Sequence, residues 1–145
     1  MIKNSVNSLI KKYKTTDPLE LCEVQNIHII KSYLGQEIKG FFQRTPNGFN
    51  IIHLNTNLSY EESKYILAHE LGHAILHTNL SITLFIENKH LIKNKFEREA
   101  DKFAAELLIP DKLIQNAEYS ELNLEQICKS LCIPLKLMKL KYNID

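Results

Sequence analysis

The chain has 145 residues, 44% of them hydrophobic and 24% charged, which suits one globular domain with a sizeable core and excludes a disordered chain. Its formal net charge of +1 leaves no basic footprint for nucleic acid or an anionic membrane surface. The opening residues carry no apolar secretory run, and no stretch approaches the roughly 18 apolar residues of a membrane span, so a cytoplasmic location is expected.

In chain order, a first helix is predicted over residues 6–14, apolar at Val6, Leu9, Ile10 and Tyr13. A second starts at Thr16 or Asp17, with Pro18 in its first turn. Three β-prone runs follow at 27–34, 38–43 and 49–54, separated by turn signals at Leu34-Gly35 and Pro46-Asn47-Gly48. They predict a small, mostly antiparallel three-stranded sheet, with the edge of 49–54 open to an extended partner. Ser59 with Glu62 forms a capping-box signature opening a helix that runs to about His77. This helix is apolar nearly all round and therefore central and buried. Another helix covers about 95–108, stopped by Ile109-Pro110. Two short helices close the chain, one capped by Asn123 and one after Pro134. The expected class is α+β, a single domain over 1–145 in which 120–145 form a small helical C-terminal extension. Cys22, Cys128 and Cys132 lack the spacing of a structural zinc site and read as thiols in a reducing compartment.

The central helix carries His69-Glu70-Leu71-Gly72-His73, the pattern H-E-x-x-H. At 100° per residue the two imidazoles stand only about 40° apart and one turn along, so both can reach one ion. Glu70 lies about 60° beyond His73, where a carboxylate can face a reacting water without ligating. Zinc lowers the pKa of such a water to about 7. On a buried helix, two histidines and a glutamate are costly without a purpose.

Such a site needs a third protein ligand and one open position. On the helix at 95–108, Phe96, Ala100, Phe103, Ala104, Leu107 and Leu108 form an apolar stripe. Glu97 lies inside that stripe and Asp101 on its edge, whereas Glu99 and Glu106 fall opposite, beside Lys95 and Lys102, where charges are normally solvated. A core-facing carboxylate needs a strong partner, which selects Glu97 as third ligand. Asp101, one turn on, can accept the outer N–H of a ligand histidine or make an ordinary ion pair. His77 sits roughly 12 Å along the axis from His69, too far to share the ion, and is either structural or a substrate contact. His28, His53 and His90 have no ligand spacing. Tyr60, Tyr65 and His77 are the candidates for stabilising an oxyanion or touching substrate.

With these residues placed, the chain resembles the ImmA/IrrE family of metallopeptidases. The resemblance rests on two ordered blocks, His69-Glu70-Leu71-Gly72-His73 followed by Leu76-His77, and Glu97 to Pro110, similar to E-x-x-A-[ND]-x-F-A-x-x-L-L-x-P. It covers nearly the whole chain from about Asp17. It implies a zincin-like (gluzincin) core and a Zn2+ ion, with Mn2+ or another divalent ion as substitutes, held by His69, His73 and Glu97 with Glu70 as general base. It further implies site-specific cleavage of a helix-turn-helix transcriptional repressor, derepressing phage, mobile-element or stress genes. The rival from another class is a non-proteolytic anti-repressor that sequesters its regulator. Direct DNA binding through the C-terminal helices, with Lys136, Lys139 and Lys141, has only one weakly basic helix behind it and reads as a solvated face. No residue pattern specifies an oligomeric state.

Overall fold

The computed structural model describes residues 1–78, 82–113 and 119–144, with side chains throughout except at 82–94. The elements are α1 (Ile2–Tyr13), α2 (Pro18–Val24), β1 (Ile27–Ser32), β2 (Gly40–Arg44), β3 (Asn50–Asn55), α3 (Tyr60–Leu76), α4 (Ile82–Leu108), α5 (Leu124–Leu131) and α6 (Leu135–Tyr142). This is a mixed α+β architecture with one three-stranded sheet. Local chemistry sets several boundaries. Asp17 caps α2 by accepting from Leu19 N at 2.9 Å, with Pro18 at the first position, where its missing N–H costs nothing. Ser59 Oγ accepts from Glu62 N at 3.1 Å to open α3, and Asn123 and Gln126 close a reciprocal capping box on α5.

The sheet corrects two expectations. Its order is β1-β3-β2, and although β2 pairs antiparallel with β3, β1 pairs parallel with β3. The sheet is half parallel, and β3 is its centre strand, so the 49–54 segment has no free edge; β1 and β2 are the edge strands among the described residues. The cause is the connection at 33–39, too long for a tight hairpin and long enough to skip one strand position, which β3 then fills. Asn55, 3% exposed, holds that connection down: its amide donates to Gly35 O at 2.6 Å and Ile38 O at 2.7 Å.

The inner sheet face, with Ile27, Ile52 and Leu54, packs on α3, and α4 covers the other side of α3. Helix α4 begins at Ile82, not near residue 95; residues 82–94 contain no Gly or Pro to interrupt it. Its face away from α3 is covered by α1 and α6. This overturns the solvated reading of Glu99 and Glu106, whose side chains are only 30% and 16% exposed. Leu137 and Met138 of α6 are fully buried in the same core. Lys141, one of the three lysines weighed for DNA contact, has a buried side chain paired with Asp111 at 2.9 Å and Glu106 at 3.5 Å. Cys22 and Cys128 are buried and Cys132 exposed, all three as free thiols. No helix among the described residues is long and apolar enough to cross a membrane.

Candidate metal centre

Helix α3 is buried without interruption from Ile66 to Ala74, because the sheet covers one side and α4 the other. That burial brings the polar side chains of His69, Glu70 and His73 into the core, each 7% exposed. Gly72 lets α4 come close: a Cβ there would lie 3.0 Å from Phe103 Cβ and 3.2 Å from the Ala100 backbone. The close approach places two carboxylates of α4, one turn apart, against the two imidazoles of α3.

Glu97 spans both rings. Its Oε2 accepts from His69 Nε2 at 3.0 Å and its Oε1 from His73 Nε2 at 2.9 Å. Asp101 Oδ1 accepts from the other nitrogen of His69, Nδ1, at 2.8 Å and from the Tyr65 hydroxyl at 2.7 Å. Lys136 of α6 stands 3.5 Å from Asp101 Oδ2. Nδ1 of His73 lies 3.0 Å from Nδ1 of His77, so one of these rings donates and the other accepts. Glu70 Oε1 lies 4.0 Å from His69 Nε2, and donor atoms of His69, Glu70 and His73 lie within 4.8 Å of one another.

The electrostatics follow from this packing. Burial raises the Glu70 carboxyl above its ordinary range, against the opposing pull of His73 and His69. Burial disfavours charge on His69 too, but its hydrogen bonds to Asp101 and Glu97 outweigh it and lift the ring to about 9. For Glu97, burial is overcome by hydrogen bonds from His69 and His73, which hold the carboxylate below its usual range. Asp101 is likewise depressed, by His69 and Tyr65 against burial. Burial and the bond to Asp101 push the Tyr65 phenol up, keeping it a donor. His77 is held below the usual imidazole range by burial and by its neighbour His73.

The donors suit a divalent ion. Two imidazole nitrogens face one carboxylate at distances near the roughly 3.3 Å that separates donors around a tetrahedral zinc with bonds of about 2.0–2.1 Å. Among the described residues the His69, Glu70 and His73 trio is the one cluster with metal-binding spacing. Glu97 stands outside that trio, but closer to the rings than Glu70, whose Oε1 is 4.0 Å from His69 Nε2. The hydrogen bonds favour Glu97 as the bridging carboxylate, because only its oxygens lie within bonding distance of both Nε2 atoms.

Other candidates go elsewhere. Tyr60 is 80% exposed at the start of α3, nine residues and roughly 13 Å from His69, so it is not brought to the site. Tyr65 reaches it, with its hydroxyl committed to Asp101. His77 is buried one turn beyond His73, with its Nδ1 committed to the His73 ring. His53 bonds Gln43 at 2.7 Å and His28 packs edge-on to Phe49, both in the sheet; the His90 side chain lies outside the described residues. Sequence reasoning missed Lys136 and Glu99, whose places depend on α6 and on the end of α3. The 73/77 repeat of histidines at i, i+4 was the available signal for the His73–His77 contact.

The profile of the IrrE N-terminal-like domain matches residues 22–137. A protein of Bacillus phage phi105, named uncharacterized immunity region protein 2, is 38% identical over 141 residues, covering 97% of this chain and 89% of its own length. The metallopeptidase ImmA of Bacillus subtilis (strain 168) is 37% identical over 117 residues, covering 80% of this chain and 68% of its own.

Proposed function

The chain belongs to the IrrE N-terminal-like domain family, and on that premise we propose that it is a zinc-dependent endopeptidase with a gluzincin-like core. Its substrate in this reading is a helix-turn-helix transcriptional repressor, whose cleavage derepresses genes of a phage, a mobile element or a stress response. The similarity to a phage immunity region protein and to ImmA supports a target in such a circuit. The observation that carries the enzymatic reading is the convergence of His69 and His73 Nε2 on the Glu97 carboxylate, with Glu70 buried beside them.

In this reading His69, His73 and Glu97 hold the ion and Glu70 is the general base. Zinc, when bound, supplies Lewis-acid polarisation of the scissile carbonyl and acidifies the attacking water. The Glu70 carboxylate accepts a proton from that water as its oxygen attacks the carbonyl carbon. It then delivers the proton to the amide nitrogen as the C–N bond breaks, leaving a carboxylate and an amine. Burial of Glu70 moves its proton affinity toward the working pH, which suits both transfers. Asp101 holds His69 from behind and orients its ring.

The substrate strand belongs at β2 in place of β3. Gly40 packs on Ile66 and Arg44 Nη1 donates to Thr78 O at 2.7 Å, so β2 runs alongside α3 as an edge strand, its outer side unpaired among the described residues. An extended peptide added there would run along the side of the sheet that β2 borders.

The test is Glu70→Gln, with the repressor encoded nearest the gene as substrate and products mapped by mass. Wild type yields fragments from one bond. The variant keeps its zinc and its partner and loses at least about 10²-fold in rate. Wild-type cleavage by the variant overturns the role of Glu70, and derepression without cleavage replaces hydrolysis by sequestration.

A further inference from the structure

We propose that His77 and Glu99 form a directional relay that fixes His73 in its ligating tautomer and ring orientation, the two acting as positioning residues. The inference rests on the reading of His69, His73 and Glu97 as an ion-binding set. It begins with the backbone: His77 is the C-cap of α3, its N–H donating to His73 O at 3.0 Å, so its ring is held one turn beyond His73. The ring is buried, with Phe96 against it at 4.5 Å between centroids. Its Nδ1 meets His73 Nδ1 at 3.0 Å.

The other nitrogen, Nε2, faces Glu99 Oε2 at 3.8 Å, longer than a hydrogen bond but within reach of a charge. Neither His77 Nε2 nor Glu99 Oε1 has another hydrogen-bond partner among the described residues, and both atoms are shielded from solvent. A carboxylate can only accept, so it favours the tautomer of His77 that carries its proton on Nε2. His77 Nδ1 is then a lone pair. It accepts from His73 Nδ1–H, so that once an ion displaces the Nε2 proton which Glu97 accepts in the metal-free site, His73 Nε2 is the lone pair that ligates.

Reversal shows why direction matters. With its proton on Nδ1, His77 would donate to His73 and hold the His73 proton on Nε2, where it competes with an ion. Ligating histidines are commonly oriented by a carboxylate acting directly on the outer nitrogen. Asp101 does this for His69. For His73 the carboxylate acts through an inserted imidazole.

The experiment measures zinc affinity by chelator competition and the visible spectrum of the Co2+ form, for wild type and for His77→Phe, His77→Asn and Glu99→Ala. Thermal unfolding of the chelator-treated proteins monitors the fold. Asn places Oδ1 where His77 has Nδ1 and can still accept from His73, whereas Phe keeps the ring packing on Phe96 and cannot. The relay predicts that His77→Phe loses roughly 10–100-fold in affinity with a changed Co2+ spectrum. His77→Asn stays within a few-fold of wild type, and Glu99→Ala weakens zinc although it touches no ligand. A purely packing role predicts the opposite order, Phe near wild type and Asn impaired, and that order overturns the relay. Should His77→Phe fail to fold, Glu99→Ala decides: wild-type affinity in it overturns the proposal. Wild type that binds no divalent ion brings down the reading of the site and this inference together, whereas a tight-binding wild type with a flat variant series brings down the relay alone.

Discussion

The two imidazoles of α3 are the same residue type, one turn apart and equally buried, yet they are backed in unlike ways. His69 leans on an anion, Asp101, which Tyr65 and Lys136 also contact. His73 leans on a second imidazole, with its carboxylate one step further away. The difference follows from what each turn of α3 meets. Opposite His69, α4 presents Asp101, one turn from Glu97; opposite His73, the backing comes from the next turn of α3 itself. An anion in direct contact raises the proton affinity of His69 to about 9, whereas His77 is held below the ordinary imidazole range. Sequence spacing alone treats the two histidines as equivalent, and the folded environment does not.

The variant with the largest expected effect removes what both sides share. Glu97→Ala deletes the carboxylate that bridges His69 and His73 Nε2, so zinc affinity should fall by well more than the roughly 10–100-fold typical of an outer partner. Metal content after dialysis, with chelator competition for any residual binding, checks this. Stoichiometric, tight zinc in the variant would mean that the two halves meet elsewhere, and Glu70, also within the cluster, would become the alternative ligand.

Asp101→Asn addresses the His69 side by itself and should cost roughly 10–100-fold in zinc affinity. The same change has a signature in pH. In chelator-treated protein the His69 ring is lifted to about 9, above the ordinary imidazole value of 6.5, because hydrogen bonds to Asp101 and Glu97 exceed the effect of burial. A raised folded pKa means that this stabilisation is fully present below about 6.5 and is lost as pH rises through about 9. Urea midpoints across that window should therefore decline for wild type, with a shallower decline in Asp101→Asn. NMR of the ring protons reports the titration directly. A His69 midpoint near 6.5 in the wild type would overturn the effect assigned to Asp101 and Glu97.

The legible parts of this molecule are those fixed by contacts close in sequence. Ser59 marked the start of α3 through a hydrogen bond three residues away. The 69/73 spacing put two imidazoles on one face, and the phase of the apolar stripe on α4 pointed Glu97 and Asp101 at α3. The illegible parts depend on where distant segments return. Strand β1 pairs parallel because 33–39 skips a position and Asn55 pins it, and neither residue pattern announces that. Glu99 and Glu106 looked solvated on a helical wheel until α1 and α6 covered that face. Glu99 became the partner of His77, and Glu106 of Lys141.

Lys136 is the smallest and sharpest probe of how far the His69 backing extends. It comes from α6, sits 3.5 Å from Asp101 Oδ2 with its side chain 58% exposed, and lies 5.1 Å over the Tyr65 ring. Exposed pairs of this kind contribute about 0–1 kcal/mol, reduced further by salt. Lys136→Met removes the charge but keeps an unbranched apolar stem, and the anchoring of α6 by Leu137 and Met138 stays intact. Zinc affinity should stay within about threefold of wild type, and unfolding free energy within about 1 kcal/mol, with any difference vanishing at high salt. A loss as large as that of Asp101→Asn would make α6 part of the machinery that holds His69. The contrast would then lie between a site tied to the C-terminal helix on one side and closed within α3 and α4 on the other.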